Sequence, residues 1–265
     1  MKAGLSALAI CIAASLPASA QQTDVELAKK LANPIASLIS VPFQTNYDHN
    51  LGLDDKGQRV TMNAQPVVPF SVSDDWNIIS RTILPLTWQE GVVPGEGTQF
   101  GLGDTVQSLF LSPKETGDHG IIWGVGPVAL LPTATEDTLG SEKLGLGPTA
   151  VALTQSGPWT VGVLSNHIWS VAGEGARRDV NTSFVQPIVS YTTKGATTFS
   201  LVSEIAYDWE REQASIPVIG VVNQLFTVGE QTMQLGAGVR YWAESPDAGP
   251  EGFGARINLV FLFPR

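Results

Sequence analysis

Beyond residue 35, apolar and polar side chains alternate in short runs with the two-residue period of β-strands. In the run opening at Thr232, the residues Met233, Leu235, Ala237, Val239 and Tyr241 fall on one face. Gln234, Gly236, Gly238, Arg240 and Trp242 fall on the other. Phe199, Leu201, Ile205 and Tyr207 oppose Ser200, Glu204 and Asp208, while Trp76, Ile78, Leu84, Leu86 and Trp88 oppose Asn77 and Arg81. In the last run Ile257, Leu259, Phe261 and Phe263 oppose Arg256 and Asn258. The pattern predicts about twelve strands, at 35–47, 59–70, 76–88, 105–113, 121–132, 147–155, 159–170, 180–193, 197–208, 216–228, 232–243 and 252–263. A short helix is expected ahead of them, from Asp24 to Ala32, capped by Thr23 or Asp24 and stopped by Asn33-Pro34.

An apolar face ending in aromatics and a charged face behind it suit two architectures. In a soluble sandwich the apolar face meets a second sheet; in a membrane barrel it meets lipid. The connections separate them. Those at 48–58, 89–104, 133–146, 171–179, 209–215 and 244–251 are the longer ones. They alternate with shorter ones at 71–75, 114–120, 156–158, 194–196 and 229–231. Short periplasmic turns alternating with longer outer loops are the habit of outer-membrane barrels, and a Greek-key sandwich has no reason for it. The predicted fold is therefore all-β: a transmembrane, antiparallel, up-and-down β-barrel with a short N-terminal helix. Most of the acidic residues, but only a third of the basic ones, fall in the longer connections.

Composition narrows the partners. Charged residues make up 15% of the chain, against about 25% in an ordinary soluble domain. After residue 20 no apolar run approaches the roughly 18 residues of a spanning helix, so the apolar residues are dispersed. The net charge of −10 argues against nucleic acid, which needs clustered Lys and Arg. Lys2, the apolar stretch Leu5 to Leu16 and the small residues Ala18-Ser19-Ala20 form a secretory signal peptide pattern. The single cysteine, Cys11, lies inside it, so the exported chain carries no disulfide and no thiolate chemistry. The expected organisation is a signal peptide over 1–20, a periplasmic helical segment over 21–34, and the barrel over 35–265.

The strand phases direct Asn63, Gln65, Arg81, Glu204, Gln234, Arg240 and Arg256 into the lumen. Such residues either pair across a narrow barrel as a plug or line a path through a wider one. Ser165 and His167 share a strand face, and a serine beside a histidine is a hydrolase arrangement. Lipid-facing phospholipases place the histidine first, however, and an interfacial His beside Trp169 fits the aromatic girdle better. His49 and His119 stand alone in connections. Asp54-Asp55 and Asp74-Asp75 lack a calcium-loop pattern, and no spacing suggests a zinc or iron site. Gly101-Leu102-Gly103 and Gly145-Leu146-Gly147 are followed by no helix and read as bends, not phosphate cradles. No catalytic residue, metal or cofactor is expected.

Several segments carry a family likeness. They are Leu31-Ala32-Asn33-Pro34-Ile35-Ala36, Pro42-Phe43-Gln44, and Trp76-Asn77 leading to Ser80-Arg81-Thr82-Ile83-Leu84-Pro85. Further on come Gly101-Leu102-Gly103-Asp104, Trp123-Gly124, Gly126-Pro127, Pro132-Thr133-Ala134-Thr135, Gly157-Pro158-Trp159 and Asn166-His167. Through them the chain resembles Gram-negative outer-membrane transporter-like proteins grouped with the meta-pathway of phenol degradation. The resemblance implies an outer-membrane barrel and uptake of small compounds, aromatic ones among them, and no established catalytic residues. The expected function is passive passage of small aromatic or hydrophobic solutes. The alternatives are a plugged structural or surface-interaction barrel and, behind that, a lipid hydrolase. The expected partners are outer-membrane lipids, small-molecule solutes and the barrel assembly machinery. One departure is the C-terminus, where Phe261 and Phe263 are followed by Pro264-Arg265.

Overall fold

The computed structural model describes residues 18–117 and 120–263. Lys2, Leu5 to Leu16, Cys11, His119 and the closing Pro264-Arg265 lie outside them. Helix α1 is Ala18–Leu31. The strands are β1 Ile39–Leu51, β2 Gly57–Ala64, β3 Val67–Ser71, β4 Trp76–Glu90, β5 Gln99–Leu102, β6 Thr105–Pro113, β7 Ile121–Leu131, β8 Lys143–Ser156, β9 Trp159–Gly173, β10 Asn181–Thr192, β11 Thr197–Ser203, β12 Ile205–Asp208, β13 Gln213–Val228, β14 Gln231–Glu244 and β15 Gly252–Phe263. Three pairs continue one another across short breaks: β2 with β3, β5 with β6, and β11 with β12. The result is a closed antiparallel barrel of 12 strands. It closes where β1 pairs with β15, from Ile39 opposite Phe263 to Tyr47 opposite Ala255.

Each expected strand has its counterpart; the differences lie at the ends and in two breaks, at 65–66 and at Glu204. Strands β1, β8 and β9 run further toward the long-loop end than alternation predicted, and β5 forms inside an expected loop. Backbone pairing continues there after the lipid-facing surface has ended, so the apolar pattern no longer marks it. Strand β1 begins at Ile39, not 35. Asn33 instead turns the chain, its Oδ1 accepting from Ile35 N at 2.9 Å and its carbonyl accepting from Ala36 N at 3.2 Å. The helix begins at Ala18, earlier than Asp24.

The outer wall is apolar through its middle, with Leu109, Val125, Val163, Val189, Leu201, Val222, Leu235 and Ile257 all exposed. Aromatic pairs bound this belt. Trp76–Trp123 and Trp159–Tyr191 sit near the short-turn end, and Tyr207–Trp209 and Tyr241–Phe253 near the long-loop end. A continuous apolar surface of this extent demands lipid.

Two apolar clusters lie inside. At the short-turn end Ala28, Ala36 and Leu38 pack with Ala196, Leu225, Val260 and Leu262, and Val25, Leu27 and Leu31 of α1 rest against them. Gln155 Nε2 donates to the Lys29 carbonyl at 2.7 Å and ties the helix end to β8. Deeper in, Ile35 inserts among Val67, Ile79, Phe110, Val151, Leu153 and Leu164. Gly124 leaves it space: a Cβ there would stand 3.2 Å from both Ile35 Cδ1 and Phe110 Cβ. Burying an isoleucine in this way contributes about 1.5–3 kcal/mol, enough to hold residues 33–38 within the barrel.

Candidate functional site: a charged layer across the lumen

Inward positions on β1, β2, β4, β14 and β15 carry charged side chains into the lumen, from Arg81 nearer the short turns to Arg59 nearer the long loops. Arg256 on β15 forms a fork on Glu204, with Nη1 to Oε1 at 2.9 Å and Nη2 to Oε2 at 2.8 Å. Its Nε donates to Asn46 Oδ1 at 2.7 Å. Strands β13 and β14 separate β15 from the Glu204 segment, so this ion pair spans a chord of the lumen and does not follow the wall. Asp48 on β1 accepts from Arg240 Nη1 at 3.1 Å and from Trp242 Nε1 at 2.9 Å. The Arg240 guanidinium also lies 4.8 Å from the Trp242 ring centre. Arg81 Nη2 donates to Gln65 Oε1 at 2.9 Å, and Arg59 Nε to Gln89 Oε1 at 2.8 Å.

Glu204 owes its position to a break in the wall. The expected strand 197–208 is interrupted there, and the register with β13 sets Pro217 opposite. On the other side, the β10 register sets Gln186 and Pro187 at this level. Proline has no N–H to give to a ladder. Ser203 Oγ donates to the Pro217 carbonyl at 2.8 Å.

Among the described residues the layer sets Arg59, Arg81, Arg240 and Arg256 against Asp48 and Glu204. Open space lies on both sides of it. Toward the turn end is a cavity of about 200 Å³ whose walls include Arg81, Arg256, Gln65, Gln234, Asn223 and Asn258. Toward the loop end one of about 620 Å³ is bounded by Asn46, Asn63, Arg59, Arg240, Trp242 and Glu204. All seven expected lumen residues thus touch one chamber or the other. Asn46, Asp48 and Arg59 were not among them. Asp48 fell in an expected loop, yet Asn46 and Asp48 continue the alternation against Tyr47 and His49, which is the signal that would have found them. At the long-loop end of β8, Lys143 Nζ donates to Asp179 Oδ1 at 3.0 Å. That bond, with one from Ser170, holds the Asp179 carboxyl below the usual carboxylate range.

Ser165 and His167 both lie on the outer wall, but they do not bond each other. Ser165 Oγ donates to the Phe184 carbonyl at 2.9 Å. His167 Nδ1 is 2.7 Å from Ser183 Oγ and Nε2 is 3.1 Å from Asn181 Oδ1. Trp209 Nε1 donates to the same Ser183 oxygen at 2.9 Å, and the imidazole lies tilted against Trp169, ring centres 4.1 Å apart. His49, expected in a connection, stands in β1 with its ring 6.1 Å from Tyr47. The expected bends at Gly101-Leu102-Gly103 and Gly145-Leu146-Gly147 fall in β5 with its break and in β8.

No protein-family model and no curated protein matches the chain. Solved structures do. The COG4313 outer membrane channel from Pseudomonas putida F1 superposes with a TM-score of 0.67 at 14% identity, over 85% of this chain and 96% of that one. Outer membrane phospholipase A from Escherichia coli superposes with a TM-score of 0.50 at 11% identity, over 91% of this chain and 98% of that one. Identities this low establish the fold. With its apolar belt between aromatic girdles, the chain is an outer-membrane β-barrel.

Proposed function

We propose that this barrel is a passive channel for small solutes in the outer membrane, the solutes moving past the charged layer from one chamber to the other. The observation that carries this reading is the unfilled, polar space on both sides of the layer. A small barrel is filled by its own side chains, whereas a wider one leaves a path. Asn63, Gln65, Arg81, Glu204, Gln234, Arg240 and Arg256 line that path, and the α1 segment narrows it at the periplasmic end. The short turns face the periplasm and the acidic loops face outward, with residues 1–20 serving export and the barrel assembly machinery inserting the chain. Outer-membrane lipids cover the belt. The likeness to the meta-pathway transporter-like proteins and the channel role of the Pseudomonas neighbour support the same reading, with small aromatic or hydrophobic compounds among the solutes. Planar-bilayer conductance of the refolded protein tests it, with folding checked by heat-modifiable gel mobility. A folded barrel that passes neither ions nor solutes would establish the plugged alternative instead.

One observation favours a hydrolase as second reading: the imidazole of His167 bonds both a serine and an asparagine on the lipid-facing wall. The candidate nucleophile is then Ser183, not Ser165. Covalent labelling of Ser183 by a fluorophosphonate would support it, and an unlabelled protein would end it.

A further inference from the structure

We infer that the solutes are small organic anions, monocarboxylates with an apolar body, and that Arg81 is their docking point in the chamber nearer the short turns. This inference rests on the channel reading and names its substrate class.

The first ground is the charge balance. The guanidinium groups of Arg59, Arg81, Arg240 and Arg256 are set against the carboxylates of Asp48 and Glu204, and the loop-side chamber adds Asp208 and Asp247 against Arg211, so the lumen keeps an excess positive charge. Walls of low dielectric focus that excess on whatever enters. The second ground is how the guanidinium groups are engaged. Arg256 gives three nitrogens to Glu204 and Asn46, and Arg240 is held by Asp48 and Trp242. Arg81 bonds the neutral Gln65, and Glu204 is already held by the fork from Arg256. The Arg81 side chain is only partly buried and forms part of the chamber wall. None of its nitrogens is a buried atom without a partner, so its further donors open to the chamber. A planar guanidinium with free donors fits a carboxylate in two-point contact.

The chamber supplies the rest of the selection. With Lys30 also in its wall, the same chamber of about 200 Å³ is lined by Leu31, Leu38, Ile188, Val202 and Val260. They would shed water against an apolar tail. Inorganic phosphate matches this wall poorly, because it brings no apolar surface to cover it.

Hexanoate, hexanamide and inorganic phosphate are suitable probes. In a potassium chloride gradient the wild-type reversal potential should show chloride preferred over potassium. Hexanoate should reduce the chloride current saturably, and hexanamide and phosphate should not. Arg81→Gln should weaken the hexanoate effect about tenfold, the loss of one charge-assisted contact, and lower the anion preference. Arg81→Lys should restore the preference but only part of the hexanoate effect. Equilibrium dialysis of hexanoate against the refolded protein runs beside the recordings. Binding that Arg81→Gln removes, in a protein without conductance, would uphold the docking point and overturn the channel. Conductance with no anion preference, or a hexanoate effect unchanged by Arg81→Gln, would overturn this inference and leave the channel standing.

Discussion

On the β6–β9 side of the lumen the inward residues Phe110, Val128, Val151, Leu153 and Leu164 are at most 4% exposed. On the side running from β11 through β15 to β4, the inward positions carry Glu204, Arg240, Arg256, Asn46 and Arg81. Both sides obey the same alternation with the same apolar outer wall. They differ in what fills the interior. The first is closed by Ile35 from the N-terminal segment and behaves as a hydrophobic core; the second is closed by ion pairs and leaves chambers above and below. A barrel can thus anchor a plug on one flank and keep a polar path on the other, because each inward face is free to take either chemistry once the outer face is committed to lipid.

The comparison breaks most sharply at Ile35. Ile35→Asp places a carboxylate without a partner among Phe110, Val151 and Leu164, at a cost of several kcal/mol. Residues 33–38 should then leave the lumen. Single-channel conductance should rise several-fold with the barrel still folded, as judged by heat-modifiable mobility. Conductance unchanged in Ile35→Asp would show that the segment does not limit the path.

Glu204→Gln tests the polar flank. It leaves Arg256 buried beside a neutral amide, and breaking such a pair costs about 3–5 kcal/mol in a dry interior. The adjoining chambers are open to water, so a loss of about 2 kcal/mol in urea unfolding is expected. Removing a carboxylate from the layer should also raise the anion-over-cation ratio. A fall in that ratio would mean that another set of charges governs selection.

Why the flanks were unequally legible in the sequence follows from these residues. Alternation places Gln234 and Arg240 on one face of β14 and Leu235, Val239 and Tyr241 on the other, and the connection lengths give the up-and-down order. It says nothing of which inward residues meet across the lumen. The Arg256–Glu204 chord joins strands with two others between them, and its geometry comes from curvature and from the break at Glu204. Pro187 and Pro217, one on each side, were visible as prolines inside strands, but their meeting at one level depends on register. Ile35 looked like the start of a strand because apolar residues surround it. Only the Asn33 turn and the space left by Gly124 reveal it as an inserted plug. The Ser165–His167 spacing was real, yet the histidine found its serine on the next strand, where single-strand spacing cannot look.

The outer wall offers a smaller test. Trp209→Phe removes the donor to Ser183 Oγ while keeping an aromatic in the girdle, and should cost about 1 kcal/mol. His167→Phe should cost a similar amount, and the double variant less than the sum if the groups act as one network. Thermal gel-shift midpoints in the four proteins measure this, and strict additivity would mean that the two contacts are independent.

The smallest effect is expected beyond the belt, at the exposed end of the Lys143–Asp179 pair. The Asp179 carboxyl is lowered in the folded protein, first by the hydrogen bond from Lys143 and then by that from Ser170. A carboxyl lowered on folding contributes stability that is fully present above its unfolded value and is lost as pH falls through its folded value. Acidification should therefore loosen the connection 174–180 before it touches the barrel, because the Asp179 contacts to Lys143 and Ser170 tie that connection to the end of the barrel. Hydrogen exchange at Arg177 and Arg178 should quicken, relative to the intrinsic rate, between neutral pH and pH values below the usual carboxylate range. In Asp179→Asn the fast exchange should already be present at neutral pH and should respond little to acid. Equal acid sensitivity in wild type and Asp179→Asn would assign the loop's order to Arg177, which donates to the carbonyls of Asp137 and Gly140, and not to the Lys143 pair.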